Sequence, residues 1–173
     1  TEDFVTAISK VHADTIYILP NNSNIIMAAK QAAEVTEDKK IIVIETKSVP
    51  QGLSACISFN PEEEVDANTE AMKEAITLVK TGSVTYAVKD TTVDGKQINS
   101  GDYMAILEKE IIFNEKDKLA VTKELIKQMC DEDTEVVTLI KGSEATDEEC
   151  EEIRQFIEQN YNVDIDVEDG QQP

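Results

Sequence analysis

Two short apolar runs separated by an amphipathic stretch limit this chain more than any other feature. Residues 15–19 (Thr-Ile-Tyr-Ile-Leu) and 40–45 (Lys-Ile-Ile-Val-Ile-Glu) are continuous rather than alternating. That is the pattern of strands buried on both faces. Between them Ile25, Ile26, Ala29, Ala32 and Ala33 recur every three or four residues, the period of one helix face. Pro20-Asn21-Asn22 stops the first run, and Ser23 is placed to cap the helix. Strand, helix and strand in about 30 residues is a βαβ unit with a parallel pair. Such a pair needs helices on its faces, which sets the class as α/β.

The chain opens on residues 3–9, which read as a helix or linker, and it lacks an initial Met. It therefore reads as a piece of a longer protein. After the second strand, Val49-Pro50-Gln51-Gly52 is expected to turn, and residues 53–59 to form a short helix. Pro61 and Glu62-Glu63-Glu64 lead into another helix with the stripe Met72, Ala75, Ile76 and Val79, which Gly82 is placed to end.

The period then changes. Val84, Tyr86 and Val88 alternate with Thr85, Ala87 and Lys89, as in a half-exposed strand. Asp94-Gly95 is the strongest hairpin signal in the chain, because a type I′ turn needs positive φ at both central residues. Residues 96–98 return, 99–102 turn again, and 103–107 and 110–113 follow about Glu108-Lys109. The expectation is an antiparallel β-meander.

The last third returns to α/β. Residues 116–129 carry the stripe Thr122, Leu125, Ile126 and Met129, and 136–140 read as a strand broken by Lys141-Gly142. Thr146 with Glu149 is a capping box. It opens a helix whose buried side is Cys150, Ile153, Phe156 and Ile157, and Val163, Ile165 and Val167 alternate as a last strand. The architecture expected is a βαβ parallel-sheet lobe over residues 1–82, then a β-meander and a second α/β lobe over 83–173. One integrated domain is the other arrangement this pattern allows. No repeat of fixed period and no low-complexity linker interrupts it.

Charge narrows the function classes. Sixteen basic against 36 acidic residues give a net charge of −20. That field opposes nucleic acid and anionic membrane surfaces and favours a basic protein partner. From Asp131 to Pro173, 15 acidic residues face only Lys141 and Arg154, as on a solvated acidic face or one that steers a partner. Cys56, Cys130 and Cys150 show no C-x-x-C spacing, so reduced, buried thiols of a cytoplasmic protein are expected rather than disulfides or zinc. No apolar run reaches membrane-span length, and no signal peptide is visible.

No catalytic constellation is readable. The single histidine, His12, has Asp14 two residues on but no nucleophile with local support. Neither G-x-G-x-x-G nor a P-loop occurs, and metal ligands show no motif. No catalytic residue, metal site or cofactor is therefore assigned. Two places carry candidate binding chemistry. Asn21, Asn22 and Ser23 sit where a strand's carboxyl end opens a helix, a place suited to an anion or small ligand, although capping alone explains these residue types. The second is the hairpin of Thr91, Thr92, Val93, Asp94, Gly95, Lys96, Gln97 and Ile98. Its polar flanks, Lys89 to Thr92 and Lys96-Gln97, leave little to bury, so it is expected to protrude, either as a solvated turn or as a docking element.

Four segments together carry a resemblance. Residues 18–25 (Ile-Leu-Pro-Asn-Asn-Ser-Asn-Ile), 45–52 (Glu-Thr-Lys-Ser-Val-Pro-Gln-Gly), 84–91 (Val-Thr-Tyr-Ala-Val-Lys-Asp-Thr) and 169–173 (Asp-Gly-Gln-Gln-Pro) resemble the C-terminal domain of the bacterial fatty-acid kinase catalytic subunit. That family is also described as dihydroxyacetone-kinase-like, or DAK2-domain, proteins. The resemblance implies a DegV-like fold without the fatty-acid site. It implies a parent with an ATP- and Mg-dependent kinase domain and a homodimerising domain, both outside this chain. The parent phosphorylates a fatty acid held by a DegV-type fatty-acid-binding protein, and the product feeds phospholipid synthesis. The resemblance further implies that a protruding β-hairpin, best matched by Thr91 to Ile98, helps to hold that partner. Family members run on past Gln-Pro with an apolar segment, which implies a last strand beyond Pro173.

Three readings follow. The first is a non-catalytic docking domain of a fatty-acid kinase. The second is a module for a lipid or anionic metabolite near Asn21, Asn22 and the Gln51-Gly52 turn. The third, an independent phosphatase or kinase, has no residue-level support.

Overall fold

The computed structural model describes residues 1–170 of the chain. It divides into two compact units, Thr1–Thr81 and Gly82–Pro173.

The first unit contains α1 (Glu2–Lys10), β1 (Thr15–Ile18), α2 (Ile26–Glu34), β2 (Lys40–Val43), α3 (Val49–Ile57) and α4 (Val65–Thr77). Strands β1 and β2 are parallel, with Thr15 opposite Lys40 and Ile18 opposite Val43. Successive strand side chains point to opposite faces, and each face is covered. Ile16, Ile18, Ile41 and Val43 pack with Ile8, Ala29 and Ala32 of α1 and α2. Tyr17, Leu19, Ile42 and Ile44 pack with Ala55, Met72 and Ile76 of α3 and α4. This two-sided burial is why both apolar runs are unbroken.

Three local expectations change here. Ser23 does not cap α2. Asn22 Oδ1 accepts from the Asn24 backbone N–H at 2.9 Å, and this side-chain turn delays the helix, whose N-cap is Ile25. The segment 49–52 is not a turn but the first turn of α3, with Ser48 as N-cap and Pro50 where no donor is needed. Gly82 does not end α4, which stops at the Leu78 C-cap, and it opens the next strand instead.

The second unit contains β3 (Gly82–Tyr86), β4 (Thr91–Val93), β5 (Lys96–Ile98), β6 (Tyr103–Leu107), β7 (Glu110–Glu115), α5 (Lys118–Met129), β8 (Val136–Lys141), α6 (Asp147–Asn160) and β9 (Asp164–Asp169). The expected meander is interrupted. β3 pairs with β6 and β6 with β7, all antiparallel, while β4 and β5 pair only with each other. The hairpin is therefore an insertion between two sheet neighbours. Val88, which alternation placed with Val84 and Tyr86, lies beyond the end of β3 and is 77% exposed.

Helix α5 serves two cores. Its Val121 and Leu125 cover the β3-β6-β7 sheet at Ala105, Val84 and Phe113. Its Ile126 meets Ile153 and Ile157 of α6 over the parallel pair β8-β9. The Thr146–Glu149 capping box forms as expected. Among the described residues, no helix is long and apolar enough to cross a membrane.

Candidate functional site

The hairpin is the better-built of the two candidate sites. Asp94 and Gly95 take φ of 50° and 79°, the two positive values of a type I′ turn, with Val93 paired to Lys96. Thr91, Thr92, Asp94, Gly95, Lys96 and Gln97 are exposed, Val93 is half-buried, and Ile98 is fully buried. Ile98 thus roots the hairpin and offers no free surface.

The base is tied at several points. Asp102, only 4% exposed, accepts at Oδ2 from the Asn99 N–H at 2.9 Å, from Asn99 Nδ2 at 3.2 Å and from Asn114 Nδ2 at 3.2 Å. The Asn99 backbone N–H is the largest cause holding the Asp102 carboxyl below the usual range, with help from the Asn99 and Asn114 amides and the charge of Lys116. Asn114 of β7 also donates to the Gln97 carbonyl at 3.3 Å. On the entry side, Asp90 Oδ1 accepts from the Ser100 N–H at 2.7 Å, and Ser100 Oγ donates to the Val88 carbonyl at 3.2 Å.

Lys96, read from the sequence as part of a polar flank that protrudes, instead turns back onto the sheet. Its ammonium reaches β7 and donates to the carbonyls of Ile111 at 2.6 Å and Ile112 at 3.2 Å. Lys96 also lines a depression of about 240 Å³ with Ile112, Phe113, Glu124 and Gln128. The exposed end of the hairpin is therefore Thr92, Asp94 and Gly95, with Val93 half-buried between them. Sequence reasoning missed Asp102 and Asn114. A turn-type Asp and a strand Asn give no sign that they meet, since 12 residues separate them.

At the other candidate, the structure separates the three residues by role. Asn21, with φ of 57°, donates its backbone N–H to Thr46 Oγ1 at 2.9 Å, and Thr46 is fully buried. The Asn21 side chain lies against Gly52 of α3, and its Oδ1 is buried without a hydrogen-bond partner among the described residues. Asn22 is exposed and its side chain is used in the local turn; Ser23 is half-buried. The site that forms is thus Asn21, Thr46 and Gly52 at the carboxyl ends of β1 and β2, closely packed rather than open.

His12 is exposed. Among the described residues, no three His, Cys, Asp or Glu side chains are grouped to hold a metal. None of the three cysteines is in a disulfide, and they are not all buried as expected. Cys56 is exposed on the outer side of α3, and Cys130 and Cys150 are half-buried, the latter with its thiol pushed up by burial.

What the fold and its best-built site define is a two-unit α/β domain that carries a base-anchored hairpin. The chain belongs to the FakA-like C-terminal family of fatty acid kinase proteins, whose model matches residues 1–173. It is 47% identical to Protein YloV of Bacillus subtilis over 174 residues, covering all of this chain and 31% of that protein. It is 39% identical to an uncharacterised protein of Staphylococcus saprophyticus, covering 31% of it, and 38% identical to one of Staphylococcus aureus, covering 32%. The chain spans about a third of the length of the curated relatives it matches. In the 169–173 motif, residues 171–173 lie outside the described residues.

Proposed function

We propose that this domain is the non-catalytic docking module of a fatty-acid kinase. Its hairpin holds a DegV-type acyl-binding protein, whose fatty acid the longer protein phosphorylates with ATP and Mg. The observation that supports this reading is the anchored hairpin: fixed at Ile98, Lys96, Asp102 and Asn114, and exposed at Thr92, Asp94 and Gly95. A free hairpin would lose backbone entropy on binding, about 1 kcal/mol or more per residue ordered, and this one is ordered beforehand. The net charge of −20 suits a partner with a basic face. The same reading includes a DegV-like fold, a cytoplasmic setting, a homodimer formed through another part of the longer protein, and a product that enters phospholipid synthesis.

The test is a calorimetric titration of the protein with its cognate acyl-binding protein, repeated after Asp94 to Gln97 is replaced by a Gly-Gly turn. Saturable binding that the shortened hairpin loses supports docking at the tip. Equal binding by both sinks it. A second reading, a module for a lipid or anionic metabolite, draws on the partnerless Asn21 Oδ1. Native mass spectrometry showing a retained ligand that Asn21→Gly releases would favour it.

A further inference from the structure

Helix α3 carries an apolar stripe that its own unit leaves uncovered. At about 100° per residue, Val49, Leu53, Cys56 and Ile57 fall within one arc of roughly 100°. Val49, Leu53 and Ile57 are 53%, 50% and 84% exposed. The opposite side of α3 is committed. Gly52 and Ala55 are buried, Gln51 Nε2 donates to the Ile76 carbonyl, and Ser54 Oγ donates to the Ala75 carbonyl, both at 3.4 Å. Packing on α4 holds the helix in place, so the stripe is a rigid outward ridge.

An acidic loop adjoins the ridge where α3 ends. Glu62, Glu63 and Glu64 are exposed, and no cation of the described residues pairs with their carboxylates. Their backbone is nonetheless fixed. Buried Asn68 accepts from the Asn60 N–H at 2.7 Å and donates Nδ2 to the carbonyls of Asn60 at 2.7 Å and Glu63 at 3.1 Å. Asn60 Oδ1 accepts from the Glu62 N–H at 3.0 Å. Three unpaired like charges held beside an apolar ridge match a surface that is apolar in the middle and basic at one end.

We propose that the α3 face, with the Glu62–Glu64 loop, docks a partner protein's amphipathic helix whose apolar side is flanked by lysine or arginine. A second copy of this chain would bring the same glutamates and another −20 of charge against the first, and an anionic lipid surface would be repelled likewise. This face belongs to the Thr1–Thr81 unit and the hairpin to the other. The two proposals therefore stand or fall separately.

Cys56 lies within the ridge and is exposed, which makes its alkylation a direct report of cover. The probe is a fluorescent helical peptide of about 20 residues with a leucine stripe and flanking lysines. A scrambled peptide of equal charge is the control. Iodoacetamide labelling of the 173-residue chain is read at each cysteine by peptide mass spectrometry. The striped peptide is expected to bind saturably and to slow Cys56 labelling about tenfold, and the scrambled one to leave it unchanged. Binding should weaken about tenfold in Leu53→Asp/Ile57→Asp, in the milder Leu53→Ser/Ile57→Ser, and in Glu62→Lys/Glu63→Lys/Glu64→Lys. Glu132→Lys/Glu135→Lys/Glu148→Lys, which alters net charge equally elsewhere, should bind as the parent does. Equal protection by the scrambled peptide, equal loss in the two charge-swapped variants, or full binding by both ridge variants overturns the proposal. So does Cys56 protection that grows with protein concentration alone, which would mean self-association.

Discussion

Asn114 Nδ2 on β7 donates to Asp102 Oδ2 at 3.2 Å, and Asp102 also receives the Asn99 N–H at the hairpin's exit. One buried carboxylate thus joins the inserted hairpin to the sheet that carries it. Charged acceptors make the stronger hydrogen bonds, and a buried one with its partners removed is costly.

Asp102→Ala should therefore release the hairpin without unfolding the unit. Amide exchange at Val93 and Lys96, the hydrogen-bonded pair that flanks the turn, should rise well above the parent rates, while β8 and β9 keep theirs. Unchanged exchange in the hairpin would mean that Ile98 and Lys96 suffice to hold it.

Gly52→Ala should destabilise the Thr1–Thr81 unit by about 1–3 kcal/mol, because the added Cβ would overlap the Asn21 amide. Asn21→Gly suits the positive φ and removes the obstructing side chain. Urea unfolding of the double variant should recover most of the loss, as expected of two residues in contact.

Gly95 fails for a different reason. Nothing lies within 4 Å of a Cβ placed there, yet its φ is 79°. Gly95→Ala should cost about 1 kcal/mol through the dihedral alone. The loss should appear as faster local opening of the hairpin, with the global urea midpoint nearly unmoved. It should also weaken any partner that binds the tip.

The capping box at α6 gives a pH signature. Lys118 Nζ lies 2.8 Å from Glu149 Oε2, and this hydrogen bond, then that of the Thr146 N–H, holds the Glu149 carboxyl below its ordinary 4.5. A lowered folded value stabilises the fold above the ordinary one, and that contribution is lost as pH falls through the folded value. Glu149→Gln should thus narrow the stability difference between pH 6 and pH 3. Thr146→Ala should cost about 1 kcal/mol at neutral pH. Both are read from denaturant midpoints.

Much of the fold is legible locally. The parallel pair β1–β2 follows from two unbroken apolar runs, the hairpin from Asp94-Gly95 and the start of α6 from Thr146 and Glu149. Each rests on chemistry within a few residues. The misreadings have separate causes. Ser23 looked like a cap until Asn22 took the local bond, and the 49–52 segment looked like a turn because its Pro suits both a turn and a helix start. Strand order was also beyond local pattern, since β3 pairs across the hairpin with β6 rather than with its neighbour in sequence.

The sequence by itself determined most element types, the α/β class and the acidic surface, because periodicity, turn chemistry and charge are properties of neighbouring residues. Only the tertiary structure decided that Lys96 and Ile98 root the hairpin, that Asp102 meets Asn114, that Asn21 lies against Gly52 and that the apolar side of α3 faces outward. Those relationships join residues distant in sequence. Their energies arise from desolvation and contact, which exist only after the elements have packed.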